Sequence, residues 1–286
     1  MTHSHRVRAR GSLLDALQQM FQGRSRRDLR RLLRDGRIQL NGIPAADSGA
    51  AVAEGDVVTC TPFGRPRQIH PRVLLVHEDE HLLVVDKDAG ILTSEGVPGK
   101  LATVQDVLHN HLRRRGLRCA VFPCHRLDRA ASGLLAFAKD PVVAATVRSD
   151  PRRYLRERVY HALVEGVPEP REGTITACLR EGEDQAMHIV TAAEGGKRCV
   201  THYRVLEAGE HDAVLEVRLE TGRKHQIRAH LSHIGHPVAG DEKYGARTNP
   251  ARRLALHARR LVVLHPVTGE TLEFESPPPA AFSSAR

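Results

Sequence analysis

With 286 residues, 41% of them hydrophobic, the chain can bury a sizeable core as one large domain or two smaller ones. It has no 18-residue apolar run, and no signal-length apolar stretch follows its basic N-terminus, so membrane spanning and secretion are not expected. A net charge of +9 with only 3% aromatic residues favours an anionic partner that is not held by rows of stacking rings. The cysteines Cys60, Cys119, Cys124, Cys178 and Cys199 are odd in number and lack CxxC spacing, which fits free thiols in a reducing cytoplasm.

Ser12 is placed to cap a helix carrying Leu13, Leu17, Met20 and Phe21 on one face. Ser25 caps a second, "RRDLRRLLRDG", which ends at Gly36. There Leu29, Leu32 and Leu33 form the inward stripe, and Arg26, Arg27, Arg30, Arg31 and Arg34 take the other faces. Residues 1–67 hold twelve Arg against six Asp plus Glu, so this end is the expected electrostatic footprint for RNA; a plain solvated helix is the alternative. "RIQLNG" reads as a strand closing in an Asn41-Gly42 turn, and "GDVVTC" as another.

The Pro-, Gly- and Arg-rich segment 61–73 reads as a linker, dividing a small basic domain, 1–65, from a larger one, 66–286. Strands follow at 81–87, 133–139, 159–166, 201–209 and 213–221, and helices at "TVQDVLHNHLRRRG" and "KHQIRAHLSHIG". The predicted class is α+β: a small N-terminal α/β domain, then a domain on a mainly antiparallel mixed sheet with flanking helices. Residues 277–286 look like a disordered tail.

Three segments carry possible chemistry. In "HRLDRAASGLLAFAKD" (125–140), a His-Arg-x-Asp taken alone is a surface ion pair, but Gly133 opens an apolar strand, so Asp128 falls on a loop at a sheet end. In "TGRKHQIRAHLSHIGHP", His225 and Arg228 lie one helical turn apart on the expected polar side. His225, His230, His233 and His236 lie close together but include no HExxH and no carboxylate, so no metal site is expected. In "ERVYHALVEG", Tyr160 follows the basic Arg158 at a strand start, and by itself is an ordinary core aromatic.

Together these segments resemble the bacterial RNA pseudouridine synthases of the RluA type. "LLVHEDEHLLVVDKDAGIL", "HRLDRAASGLLAFAKD", "ERVYHALVEG", "LETGRKHQIRAHLSHIGHPVAGDEKYG" and "LALHARRLVVLHPVTGE" are similar to successive family blocks, and residues 10–60 look like its small ribosomal-protein-like RNA-binding domain. The resemblance implies isomerisation of uridine in RNA without metal or organic cofactor: the ribose–N1 bond is cleaved, the uracil turns, and it is rejoined through C5. It implies that Asp128 is the essential aspartate, Tyr160 the ring under the base, Arg228 the partner of Asp128, and Arg126 the residue entering the gap left by the flipped nucleotide. Asp88, Ala131 and Arg158 depart from the usual Pro, Thr and Lys, and none removes a catalytic group.

Physical chemistry agrees with that implication. A stacked uridine cannot turn, so it must leave the helix at a cost of a few kcal/mol. Stacking on Tyr160 tolerates in-plane rotation where hydrogen bonds would resist it. A partly dry carboxylate needs a nearby cation to stay ionised, and a bidentate Arg228 is expected to supply it. Competing readings are a non-catalytic RNA-binding or ribosome-assembly protein and, more distantly, a nucleosidase releasing free uracil. The expected substrate is large-subunit ribosomal RNA, with tRNA second, and the expected state a cytoplasmic monomer away from membranes.

Overall fold

The computed structural model describes residues 3–34, 36–60, 66–94, 102–117 and 119–284. The chain separates into two compact units, Met1–Arg67 and Gln68–Arg286.

The first unit contains β1 (His3–Arg6), β2 (Gly11–Ser12), α1 (Leu13–Met20), α2 (Arg26–Arg34), β3 (Ile38–Leu40), β4 (Ile43–Pro44), β5 (Ala51–Val52) and β6 (Val57–Cys60). Its main sheet runs β1-β6-β3-β4, and β2 pairs with β5. Both helices start where a serine oxygen can accept an orphan amide: Ser12 from Asp15 and Ser25 from Asp28, each at 3.2 Å. Leu29, Leu32 and Leu33 pack with Leu13, Leu14 and Leu17 over Ile38 and Val58. Arg26, Arg27, Arg30, Arg31 and Arg34 are all exposed, with Arg26 turned towards Asp15 of α1 at 3.2 Å.

The second unit holds β7 (Arg67–His70) from its second residue on, β8 (Val73–Glu78), β9 (Leu82–Lys87), α3 (Val104–Arg114), β10 (Phe122–Pro123), β11 (Ser132–Ala138), α4 (Pro141–Ser149), α5 (Pro151–Tyr154) and β12 (Leu155–Glu165). After these come β13 (Glu172–Glu181), β14 (Met187–Val190), β15 (Lys197–Ala208), β16 (Asp212–Leu219), α6 (Gln226–His233), β17 (Leu256–Leu264) and β18 (Thr271–Glu275). The sheet order is β14-β13-β15-β16-β12-β17-β11-β9-β8-β7, with β10 against β11 and β18 against β17.

Among the described strand pairs whose register is given, pairing is antiparallel except between β11 and β17. That parallel seam is short and tight. Gly133 sits in it at φ +110°, and a Cβ there would lie 2.3 Å from the Ala258 carbonyl oxygen, so no other residue fits. All seven residues of β11 are buried, which is why its sequence is apolar without alternation. The loop that delivers the chain into β11 contains Asp128.

Two expectations are corrected. The segment 61–73 is not a linker throughout: Arg67–His70 is the edge strand β7 and Val73 begins β8, while 61–65 lie outside the described residues. An edge strand of four residues, two exposed and two half-buried, is too short to show alternation, so its Pro- and Arg-rich surroundings hid it. Nor is the C-terminus disordered through 284. Residues 280–282 form a 3₁₀ turn that buries Phe282 in the main core under the Arg253 guanidinium, 5.2 Å from the ring centroid.

Candidate active site

Asp128 is held by its neighbours in sequence. The Leu127 amide donates to Thr93 Oγ1 at 3.1 Å, and the Thr93 hydroxyl donates back to the Leu127 carbonyl at 2.9 Å. On the other side the Arg129 carbonyl accepts the Gly90 amide at 2.7 Å. Lys87, at the end of β9, is fully buried, and its Nζ lies 2.6 Å from the Ala131 carbonyl, 3.3 Å from that of Arg129, 3.0 Å from Asp88 and 3.1 Å from Ile91. Burial, and then the charge of Arg253, push Lys87 down to about 7. Its four carbonyls join the 88–91 turn to the Asp128 loop.

The Asp128 carboxylate is 13% exposed, with Oδ2 3.2 Å from Arg228 Nη1 and Oδ1 4.0 Å from His225 Nε2. Arg228 and Asp128 are thus brought together across 100 positions of sequence. The expected bidentate pairing is corrected, however. The Arg228 fork grips Asp241, with Nε 2.6 Å from Oδ2 and Nη2 2.7 Å from Oδ1, and only Nη1 remains for Asp128. Burial opposes the Arg228 charge, but Asp241 and then Asp128 raise its pKa above the usual arginine value.

Arg228 is also not on a solvated helix face. It is 8% exposed because α6 turns that side towards Asp241 and towards Tyr244, whose ring centroid lies 4.8 Å from the guanidinium carbon. His225 precedes the helix in the left-handed region, at φ +49°. Its Nδ1 is 3.0 Å from the Tyr244 hydroxyl, which accepts the Met187 amide at 2.8 Å. In the tautomer in which the phenol donates to Nδ1, the imidazole hydrogen is on Nε2, the side facing Asp128. Burial pushes His225 down to about 4, so the ring is neutral near pH 7.

These groups open on a cleft of about 1050 Å³ that is also lined by Tyr160, Arg126, His125 and Arg158. Tyr160 is 5% exposed; burial pushes its phenol up to about 12. Arg126 is exposed at the wall. Asp128, Tyr160, Arg228 and Arg126 therefore share one cleft, while the arginines of α2 belong to the other unit. Sequence reasoning missed Asp241, Tyr244 and Thr93 as site residues. Asp241 opens the short polar stretch "DEKYG", where no periodicity distinguishes a buried carboxylate from a turn residue; the Gly on either side is its one local signal.

Residues 81–233 match the RNA pseudouridylate synthase family, and residues 13–58 match the S4 domain. The ribosomal large subunit pseudouridine synthase D of Pseudomonas aeruginosa is 34% identical, over 95% of this chain and 90% of its own. The uncharacterised RNA pseudouridine synthase YhcT of Bacillus subtilis is 36% identical, over 72% of this chain and 68% of its own. Among solved structures, the human RNA pseudouridylate synthase domain containing 4 superposes with a TM-score of 0.59 at 26% identity, covering 73% of this chain and 89% of the human one. The chain belongs to the RNA pseudouridylate synthase family, as an RluA-type member with an N-terminal S4 domain, and is an isomerase acting on RNA.

Proposed function

We propose that the enzyme converts a uridine of large-subunit ribosomal RNA to pseudouridine in the cytoplasm, with Asp128 as the essential carboxylate. The observation that carries this reading is the state of Asp128: its loop is pinned on both sides, yet among the described residues the carboxylate has one hydrogen bond, and it borders a cleft large enough for a nucleotide. The RNA choice draws on the S4 domain and on relatives named as large-subunit synthases.

In the reaction the C1′–N1 bond breaks, a C1′–C5 bond forms, the C5 hydrogen leaves as a proton and N1 gains one. Asp128 either attacks C1′ or takes the 2′ proton on a glycal route. Arg228 keeps it aimed, and neutral His225 faces its second oxygen. Tyr160 supports the base while it turns, and Arg126 fills the vacated stack. The exposed arginines of α2, Arg26, Arg27, Arg30, Arg31 and Arg34, contact phosphates and set affinity.

The test uses unmodified large-subunit ribosomal RNA labelled with tritium at C5 of uridine. Release of label by the enzyme is expected, with loss of turnover by at least roughly a thousandfold in Asp128→Ala and retained RNA binding. Equal release by the variant removes Asp128 from its role. No release from ribosomal RNA or tRNA by the unaltered enzyme overturns the reading in favour of non-catalytic RNA binding.

A further inference from the structure

Arg158 and Tyr160 are two residues apart on β12, so their side chains leave the same face of the strand, about 6.6 Å apart along it. Arg158 is 6% exposed, and among the described residues its guanidinium has one hydrogen bond, from Nη2 to the Glu220 carbonyl at 3.3 Å. Its Nε is buried without an acceptor, and among the described residues no carboxylate lies within ion-pair distance. The chain makes room for this group: a Cβ on Gly222 would lie 2.5 Å from Arg158 Nη1.

His125 repeats the pattern beside it. Its Nε2 accepts the Ala136 amide at 3.1 Å, so the hydrogen of the neutral ring is on Nδ1, which is buried and among the described residues makes no well-aligned hydrogen bond, the Arg126 backbone being its polar neighbour. Burial, and then the charge of Arg158, push His125 down to about 3, so it stays neutral. A buried cation without an anion and a buried N–H without a well-aligned acceptor are both unfavourable in the resting protein. Two such donors lining the cleft of Asp128 and Tyr160 define a place where an acceptor is missing.

We propose that Arg158, with His125 beside it, receives a phosphate group of the flipped uridine nucleotide; the proposal rests on reading the cleft as the uridine site. A phosphate supplies the missing negative charge and matches the guanidinium fork, whereas a base carbonyl would leave the charge uncompensated. The chemistry of the reaction favours the same choice. The uracil must turn during isomerisation while the backbone stays in place, so a strong directional contact belongs on the phosphate and a stacking surface on the base.

The experiment compares binding of uridine and uridine 3′,5′-bisphosphate to the unaltered enzyme, Arg158→Met and Arg158→Lys, by titration followed in ligand-observed NMR, alongside thermal unfolding. The unaltered enzyme should prefer the bisphosphate. Arg158→Met should cut that preference about tenfold or more, leave uridine affinity unchanged and leave Tm undiminished, because the group it removes is poorly satisfied in the free protein. Arg158→Lys should restore most of the preference. An unaltered enzyme without preference, a Met variant that keeps it, or one that loses uridine and bisphosphate binding equally overturns the proposal. If the Met variant does not fold, the Lys variant decides: it must lower the preference about threefold, since it keeps the charge but loses the fork. Tritium release from ribosomal RNA, read in parallel, judges the proposed function separately.

Discussion

Two polar clusters in the larger unit use the same residue types to opposite ends. At the β8–β9 turn, Glu78 accepts Lys139 at 2.9 Å, Arg115 at 2.5 Å and His111 at 3.4 Å. Its neighbour Asp79 accepts the His81 and Leu82 amides at 2.7 Å each and meets His77 at 2.7 Å and His265 at 3.4 Å. Every oxygen there is used, and the cluster ties α3, β11 and the β17–β18 turn to that end of the sheet. Behind the cleft, Asp241 is likewise closed on Arg228, but among the described residues Asp128 has one hydrogen bond and Arg158 and His125 have donors left over. The closed carboxylates tie elements of the fold together, and the open groups face the cleft.

The sharpest way to break this division is Asp241→Ala. It removes the closed half of the Arg228 pairing and leaves a buried guanidinium with Asp128 alone, at a cost of about 3–5 kcal/mol in stability. The freed fork should swing onto Asp128, so turnover in the folded fraction should also drop more than about tenfold. Denaturant unfolding and tritium release measure the two effects. Full turnover in the folded variant would mean that Asp241 does not orient Arg228 for catalysis.

Glu78→Gln tests the other cluster and should cost about 2–3 kcal/mol while leaving turnover per folded molecule unchanged. Its pH signature has a definite sign. Burial opposes ionisation of Glu78 and Asp79, but hydrogen bonds from His111 and Lys139 to the first, and from His265 and His77 to the second, hold both well below their ordinary values of 4.5 and 3.8. The unfolded chain therefore takes up these protons first as acid is added. The stabilisation is complete above about pH 4.5 and is lost as pH falls towards the folded-state values. In Glu78→Gln the fall of Tm below pH 4.5 should be shallower; an identical slope would show that Glu78 is not part of the acid response.

What was legible in the sequence follows the same line between local and long-range forces. Ser12 and Ser25 capped the helices expected of them, and Asn41-Gly42 made its turn at φ +52° and +79°, because caps and tight turns are decided within four residues. The strands at 82–87 and 132–138 were readable from apolar content, and that at 212–219 from its alternation of apolar and charged residues. Those at 172–181 and 256–264 were not: β13 mixes exposed and buried positions irregularly, and β17 carries Arg259 and Arg260 in mid-strand. Asp128, Arg228, Tyr160 and Arg126 were named from motifs and share a cleft. That the Arg228 fork would turn to Asp241 depended on where a loop 13 residues later returns, which no local pattern encodes.

The smallest effect is expected from Tyr160→Phe, and it separates two uses of the same ring. Burial pushes the phenol up to about 12, so it keeps its hydrogen through the working pH range, and among the described residues the hydroxyl has no protein hydrogen-bond partner. If the ring only supports the turning base, Phe serves equally and turnover should change by no more than about threefold, whereas Tyr160→Ala should lose roughly ten- to a hundredfold with the stacking contact. If instead the hydroxyl carries the C5 proton away, Phe should be as damaging as Ala, and the residual rate should no longer follow the pH profile of the unaltered enzyme. A pH series of tritium release for the two variants distinguishes these cases. A severe Phe defect would move Tyr160 from the supporting surface of the cleft to the chemistry beside Asp128.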